Sequence, residues 1–228
     1  NNWYGDRFIL SKYCKLKDRS AFASIQHGHI TIKNYKSNKP FGSRKISYSP
    51  WLVWNNKISN FAKRNKLKNI IPIGAIFLYL EKVYNFQNYK KSKGTIIFPF
   101  LSHPEERMYN DYEKIIRYLK KNFSPPYTIS ISKFDMKMKK KKIKNVNFIN
   151  YGYRGNKYYL KNLYKSISKH ENLVVTYPGS PLIYGLYLKK KVFLKKNYFL
   201  HNLKKKKKLN LNFTRKTSIE DLKNYGIN

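Results

Sequence analysis

The sequence predicts an α/β protein whose larger part, residues 93–200, is a Rossmann-like domain built on a parallel sheet. Three observations carry this prediction. From Gly94 onward, short apolar runs alternate with segments whose apolar residues recur at helical spacing. The connections between them are short and hold Pro, Gly, Asn or Ser, and that alternation is the pattern of βαβ units. Hydrophobic residues make up 41% of the 228 and aromatics 17%, enough to bury a sizeable core and to exclude global disorder.

The first part, residues 1–88, is expected to be a small or truncated N-terminal α/β domain. A short helix is predicted over 7–13, and a strand over 22–25 that runs into the turn Gln26-His27-Gly28-His29. Residues 36–49 are polar, with Pro40 and Gly42, and form a loop. Trp51-Leu52-Val53-Trp54 is a buried-type strand, and over 56–66 Ile58, Phe61 and Ala62 share a helical face. A strand over 70–73 closes at Gly74, a helix follows over 76–83, and 84–93 is a polar linker.

In the second part a strand over 95–100 delivers Ser102-His103-Pro104 to its C-terminal end. Asn110 is expected to cap the next helix, with Glu113 in capping-box register, while Tyr112, Ile115, Ile116 and Leu119 make its apolar stripe. Pro125-Pro126 stops that helix, a strand spans 127–132, and the charge run 137–144 is expected to be a solvated loop. A third strand over 146–150 ends in Gly152-Tyr153-Arg154-Gly155, and Leu160, Leu163, Tyr164 and Ile167 mark a helix. Strands over 173–176 and 191–194 flank a short helix over 181–188, and 201–228 is a basic tail with a last helix over 217–224.

Charge and cysteine usage bound the chemistry. The net charge is +38, but only eight of the 49 basic residues are Arg, the side chain whose fork suits phosphates and base edges. Asn, Ile and Tyr are also abundant and share A/T-rich codons with Lys, so composition alone accounts for much of the charge. Attraction to polyphosphates, nucleic acids or acidic membrane faces follows from the charge itself. The single cysteine, Cys14, excludes an internal disulfide framework and a cysteine-based zinc cluster, and a cytoplasmic setting is expected. The chain opens on Asn1 without a basic-plus-apolar leader, which fits a fragment or a processed product. The apolar stretch 70–80 is broken by Pro72 and Gly74 and is too short to span a bilayer. No metal site is expected, since Asp135 stands alone and His27 with His29 are too few ligands.

The run Thr176-Tyr177-Pro178-Gly179-Ser180-Pro181 carries the strongest chemical signal. A buried strand delivers the chain to a tight turn, Ser180 is placed to cap the next helix, and Pro181 stands at its first position. The positive end of such a helix, at the carboxyl edge of a parallel sheet, suits an anion. Arg154 and the pair Ser102 and His103 also follow strand ends, and Arg154 suits a phosphate clamp. His27, between a strand and Gly28, suits proton transfer near neutral pH.

The segment from Asn172 to Leu194 resembles the donor-binding part of GT-B glycosyltransferases of surface-polysaccharide biosynthesis, and the resemblance spans roughly residues 94–195. In that family a strand, a Gly-Ser or Gly-Thr turn, a short helix and a Gly-Lys-Pro-Val strand hold the diphosphate of a nucleotide sugar. Here the last piece is Leu188-Lys189-Lys190-Lys191-Val192-Phe193-Leu194, and Tyr184-Gly185 stands where the family often has a ribose-binding Glu. Gln26-His27-Gly28 resembles a His-Gly turn in the N-terminal half of related transferases. The resemblance implies a metal-independent transferase with no cofactor beyond its nucleotide-activated donor as substrate. His27 would be catalytic, and Ser102, His103, Arg154, Tyr177, Gly179 and Ser180 would lie on the donor phosphates. The implied partners are a nucleotide sugar, a saccharide or lipid-linked acceptor, and an anionic membrane surface at the inner face of the cell membrane. Two alternatives stay open: a basic RNA- or DNA-associated protein, and a non-catalytic binding module on the same fold.

Overall fold

A computed structural model describes residues 6–16, 23–26, 50–64, 68–84, 86, 92–99, 109–152, 155–177, 179–195 and 200–201. The chain is α/β and divides into two compact units. Among the described residues, the first unit takes in those up to Gln87 with Tyr153–Tyr164, and the second those of Asn88–Gly152 and Lys165–Lys216.

The first unit opens with α1 (Asp6–Tyr13), followed by β1 (Ser24–Ile25), β2 (Trp51–Val53), α2 (Asn56–Arg64) and β3 (Ile70–Pro72). A 3-10 turn (Ile76–Tyr79) then runs into α3 (Leu80–Tyr84), so the helix expected over 76–83 divides into two geometries. The strands form a parallel sheet in the order β1-β2-β3, with Ile25 opposite Leu52 and Val53 opposite Pro72. Pro72 sits on an outer strand, where its missing N–H costs no ladder bond. Asn55 accepts the amide of Ile58 at 2.8 Å and so caps α2, whose Ile58 and Ala62 pack on Trp51, Val53 and Ile70. Gln26 is buried; its amide donates to Leu52 O at 2.8 Å and its Oε1 accepts the Trp54 amide at 2.9 Å, pinning β1 to the end of β2.

The second unit holds β4 (Thr95–Phe98), β5 (Tyr109–Asn110), α4 (Tyr112–Asn122), β6 (Tyr127–Ser130), a 3-10 element (Lys133–Lys140) and β7 (Val146–Ile149). It takes in Lys165–Ser168 of α5 (Tyr159–Ser168), whose first residues belong to the first unit, and then β8 (Asn172–Val175), α6 (Ser180–Tyr187), β9 (Lys191–Leu194) and β10 (Leu200–His201). Five of its strands form one all-parallel sheet in the order β7-β6-β4-β8-β9. The inner strands β4 and β6 are buried at every position, while β9 at the edge is largely exposed. Strands covered on both faces need continuous apolar runs, which is why Thr95-Ile96-Ile97-Phe98 shows no alternation. Ile115 and Leu119 of α4 pack with Ile97, Ile129, Phe148 and Val174 on one face of the sheet.

Two sequence expectations give way here. The cap of α4 is Asp111, whose carboxylate accepts the Lys114 amide at 2.9 Å. Asn110 instead belongs to β5 and pairs with Leu200 in a two-stranded antiparallel ribbon. An N-cap serves the amide three residues on, and Asp111 stands at that spacing with a full charge toward the helix's positive end. The run 137–144 is also no plain loop: 3-10 geometry persists through Lys140, and Asp135 and Met138 are buried.

Candidate functional site

The order of the five-stranded sheet locates the site. From β4 the chain steps outward to β6 and β7, then returns across the sheet to β8 on the other side of β4 and moves on to β9. This is the 3-2-1-4-5 order of a doubly wound sheet, and its direction reverses between β4 and β8. At such a point the connections leaving neighbouring carboxyl ends part to opposite faces and leave a crevice. The helices obey that geometry. The α4 residues lie on the face of Ile97 and Val174, whereas Gly185 of α6 lies against Leu173 and Val192 on the other.

Phe98 and Val175 are register partners at the two carboxyl ends. Thr176 extends the ladder by one step, since its amide donates to Phe98 O at 3.2 Å and its hydroxyl lies 3.5 Å from the same oxygen. Thr176 is 2% exposed, so the clamp is dry. Tyr177 then turns its ring over Gly179: a Cβ built on Gly179 would stand 2.3 Å from Tyr177 Cε2. Gly179, in extended conformation, is the N-cap of α6, and Ser180 is the first helical residue with Pro181 next. The expectation that Ser180 caps the helix is thus corrected. The tyrosine ring fills the space a cap side chain would need, and only Gly fits beneath it. Leu182 donates its amide to Gly179 O at 3.0 Å, and Pro181 has no amide hydrogen to give.

Of the residues expected at the site, Tyr177, Gly179 and Ser180 are brought together in this turn. His27, Ser102, His103 and Arg154 lie outside the described residues. Their described neighbours are fixed. Phe98, the last residue of β4, stands beside Val175 and Thr176, and Gln26, next to His27, is held by Trp54 and Leu52. Before Arg154, Asn150 donates from Nδ2 to Ile131 O and accepts the Gly152 amide, both at 2.7 Å. The Tyr151 ring stacks on Phe98 with centroids 6.1 Å apart, drawing the connection after β7 across β6 toward β4. Sequence reasoning missed Asn150 and Tyr151, and named Thr176 only as the start of the run that forms the turn. A polar residue directly after each apolar run was the available signal for Asn150 and Thr176.

His170 lies at the opposite, amino edge of the sheet. Its Nδ1 is 2.6 Å from Ser166 O, which can only accept, so Nδ1 carries the proton and Nε2 accepts from the Thr128 hydroxyl at 2.8 Å. Burial holds its pKa below the ordinary value of 6.5; the Ser166 bond opposes this, and Lys190 and Lys169 add to it. It is a structural histidine. Lys190 beside it is also lowered, chiefly by burial, and donates to Ser168 O at 2.8 Å.

In the first unit an apolar cavity of about 210 Å³ opens between α1 and the sheet face formed by Ile25 and Leu52, with Arg7, Cys14 and Tyr79 on its walls. Among the described residues no three His, Cys, Asp or Glu stand together as a metal-binding group, and no helix is long and apolar enough to cross a membrane. No protein-family model matches the chain, and no curated protein or solved structure matches it either.

Proposed function

We propose that the chain is a GT-B-type glycosyltransferase that moves a sugar, or a sugar-like phosphate group, from a nucleotide-activated donor to an acceptor in polysaccharide biosynthesis. One observation supports this above the others: the chain reverses between β4 and β8, and the Gly179-Ser180 turn stands at the carboxyl end of that reversal. In this reading the turn and the N-terminus of α6 face the donor diphosphate, with Ser102, His103 and Arg154 as further phosphate groups from neighbouring strand ends. The acceptor hydroxyl attacks the anomeric carbon, the bond to the diphosphate oxygen breaks, and His27 takes the hydroxyl proton. The apolar cavity of the first unit suits the hydrocarbon part of a lipid-linked acceptor.

The test is a thermal-shift screen of nucleotide sugars. A donor at about a hundred times its dissociation constant stabilises the folded chain by about 2.7 kcal/mol. For a chain of this size that raises Tm by about 5–10 °C. Ser180→Trp is expected to abolish the shift and leave the basal Tm nearly unchanged, and turnover of the bound donor separates an enzyme from a binding module. The absence of a shift with every donor would end the proposal.

A further inference from the structure

The charge run that looks like a plain solvated loop is held in a fixed register. A 3-10 helix has three residues per turn, so side chains fall into three rows. The element Lys133–Lys140 is two such stretches joined across a non-helical Asp135 (φ −104°, ψ 16°), and burial still recurs at every third residue, Asp135 and Met138. Asp135 accepts the Ser132 hydroxyl at 2.6 Å, and Met138 joins the core with Ile129 and Phe148. The other two rows are Lys133, Met136 and Lys139, and Phe134, Lys137 and Lys140, all of them exposed. Phe134 is 50% exposed and Met136 41%, and the Lys133 ammonium lies 4.8 Å from the Phe134 ring centre. Lys141, Lys142 and Lys144 follow, also exposed, while Ile143 turns inward and bridges to Val146. The sole carboxylate of the segment, Asp135, is buried.

We infer that this face, Lys133 to Lys144, docks on an anionic lipid bilayer. Seven ammonium groups on a supported scaffold match the potential of an acidic leaflet, which attracts each lysine within a Debye length of its surface. Two apolar side chains standing out among them are placed to enter below the headgroups. A polynucleotide also attracts lysines, but this face has no Arg fork for phosphates and exposes a single ring, Phe134, where stacking of successive bases needs several. The inference stands on its own, whatever the crevice binds.

Co-sedimentation of the full chain with phosphatidylcholine vesicles, with and without phosphatidylglycerol, tests it. Binding is expected only with the anionic lipid. Changing Lys137, Lys139, Lys140 and Lys141 to Ser together is expected to lower partitioning by about tenfold or more. The same change at Lys204, Lys205, Lys206 and Lys207 is expected to have a smaller effect. Phe134→Ser with Met136→Ser is expected to cost several-fold, and that loss persists when salt screens the lysines. Unchanged thermal melts show that these exposed substitutions leave the fold intact. Equal binding to neutral vesicles, a greater loss from the tail set than from the 137–141 set, or no loss from the Phe134 and Met136 pair would overturn the inference. Should that pair be silent while polyuridylate displaces the vesicles, the surface is one for nucleic acid.

Discussion

At the scale of single residues, the contact between Tyr177 and Gly179 makes a sharp forecast. A methyl group at position 179 stands 2.3 Å from the ring, so Gly179→Ala must move the turn or the tyrosine. A loss of about 1–3 kcal/mol is expected in urea unfolding. Tyr177→Ala in the same chain should return most of it, because the two substitutions share one cause. Purely additive losses would show that the ring is not the obstacle. His170 gives a second forecast, on pH. Its folded pKa lies below the ordinary value through burial, so the unfolded chain binds more protons and stability rises with pH. The contribution is complete above about pH 6.5 and is lost as pH falls through the lower folded value. Unfolding free energies of the parent and His170→Gln, taken at several pH values, should diverge in slope across that window. Parallel curves would count against it. None of this was visible in sequence, where His170 is one letter in a polar stretch and its partners are Thr128 and Ser166.

Elements differ in how openly the chain declares them. The inner strands β4 and β8 announced themselves through the apolar runs Ile96–Phe98 and Leu173–Val175, as burial on both faces demands, whereas β6 alternates, with Thr128 and Ser130 buried between Tyr127 and Ile129. Helix α4 did so through Ile115 and Leu119, but its start was displaced by one residue, since Asn110 and Asp111 are both good caps and only pairing with Leu200 decides between them. Asp111→Ala should therefore destabilise by about 0.5–2 kcal/mol in chemical denaturation. Asn110→Ala should leave the helix start in place, as amide exchange at Lys114 would report. The ribbon of β5 and β10 had no local signal, being two residues from each of two distant segments. The 3-10 stretches were hidden for another reason: a period of three is hard to tell from the α-helical 3.6 over so few residues.

For the molecule as a whole, alternation of strand and helix gave the parallel sheet, but not the place where its winding reverses. That place depends on which strand β8 chooses as neighbour, a contact between residues about eighty positions apart that no local pattern records. The candidate crevice was thus legible as a turn, Gly179 and Ser180, and not as a position between β4 and β8. Charge acts at this scale too. With a net charge of +38 the folded chain repels itself, and salt should relieve this. Raising sodium chloride from about 0.01 M to 0.15 M shortens the Debye length from about 30 Å to 8 Å and should lift Tm by a few degrees. A flat or falling Tm would mean that the lysines are already well dispersed.

Gly185 puts the backbone of α6 so near the sheet that a Cβ there would lie 2.1 Å from Leu173 Cδ2 and 3.2 Å from Val192 Cγ2. A helix seated this tightly cannot back away to make room. Whatever enters beside Gly179 meets a wall of fixed position on that side, and tolerance for larger or smaller guests must be supplied by the opposite bank.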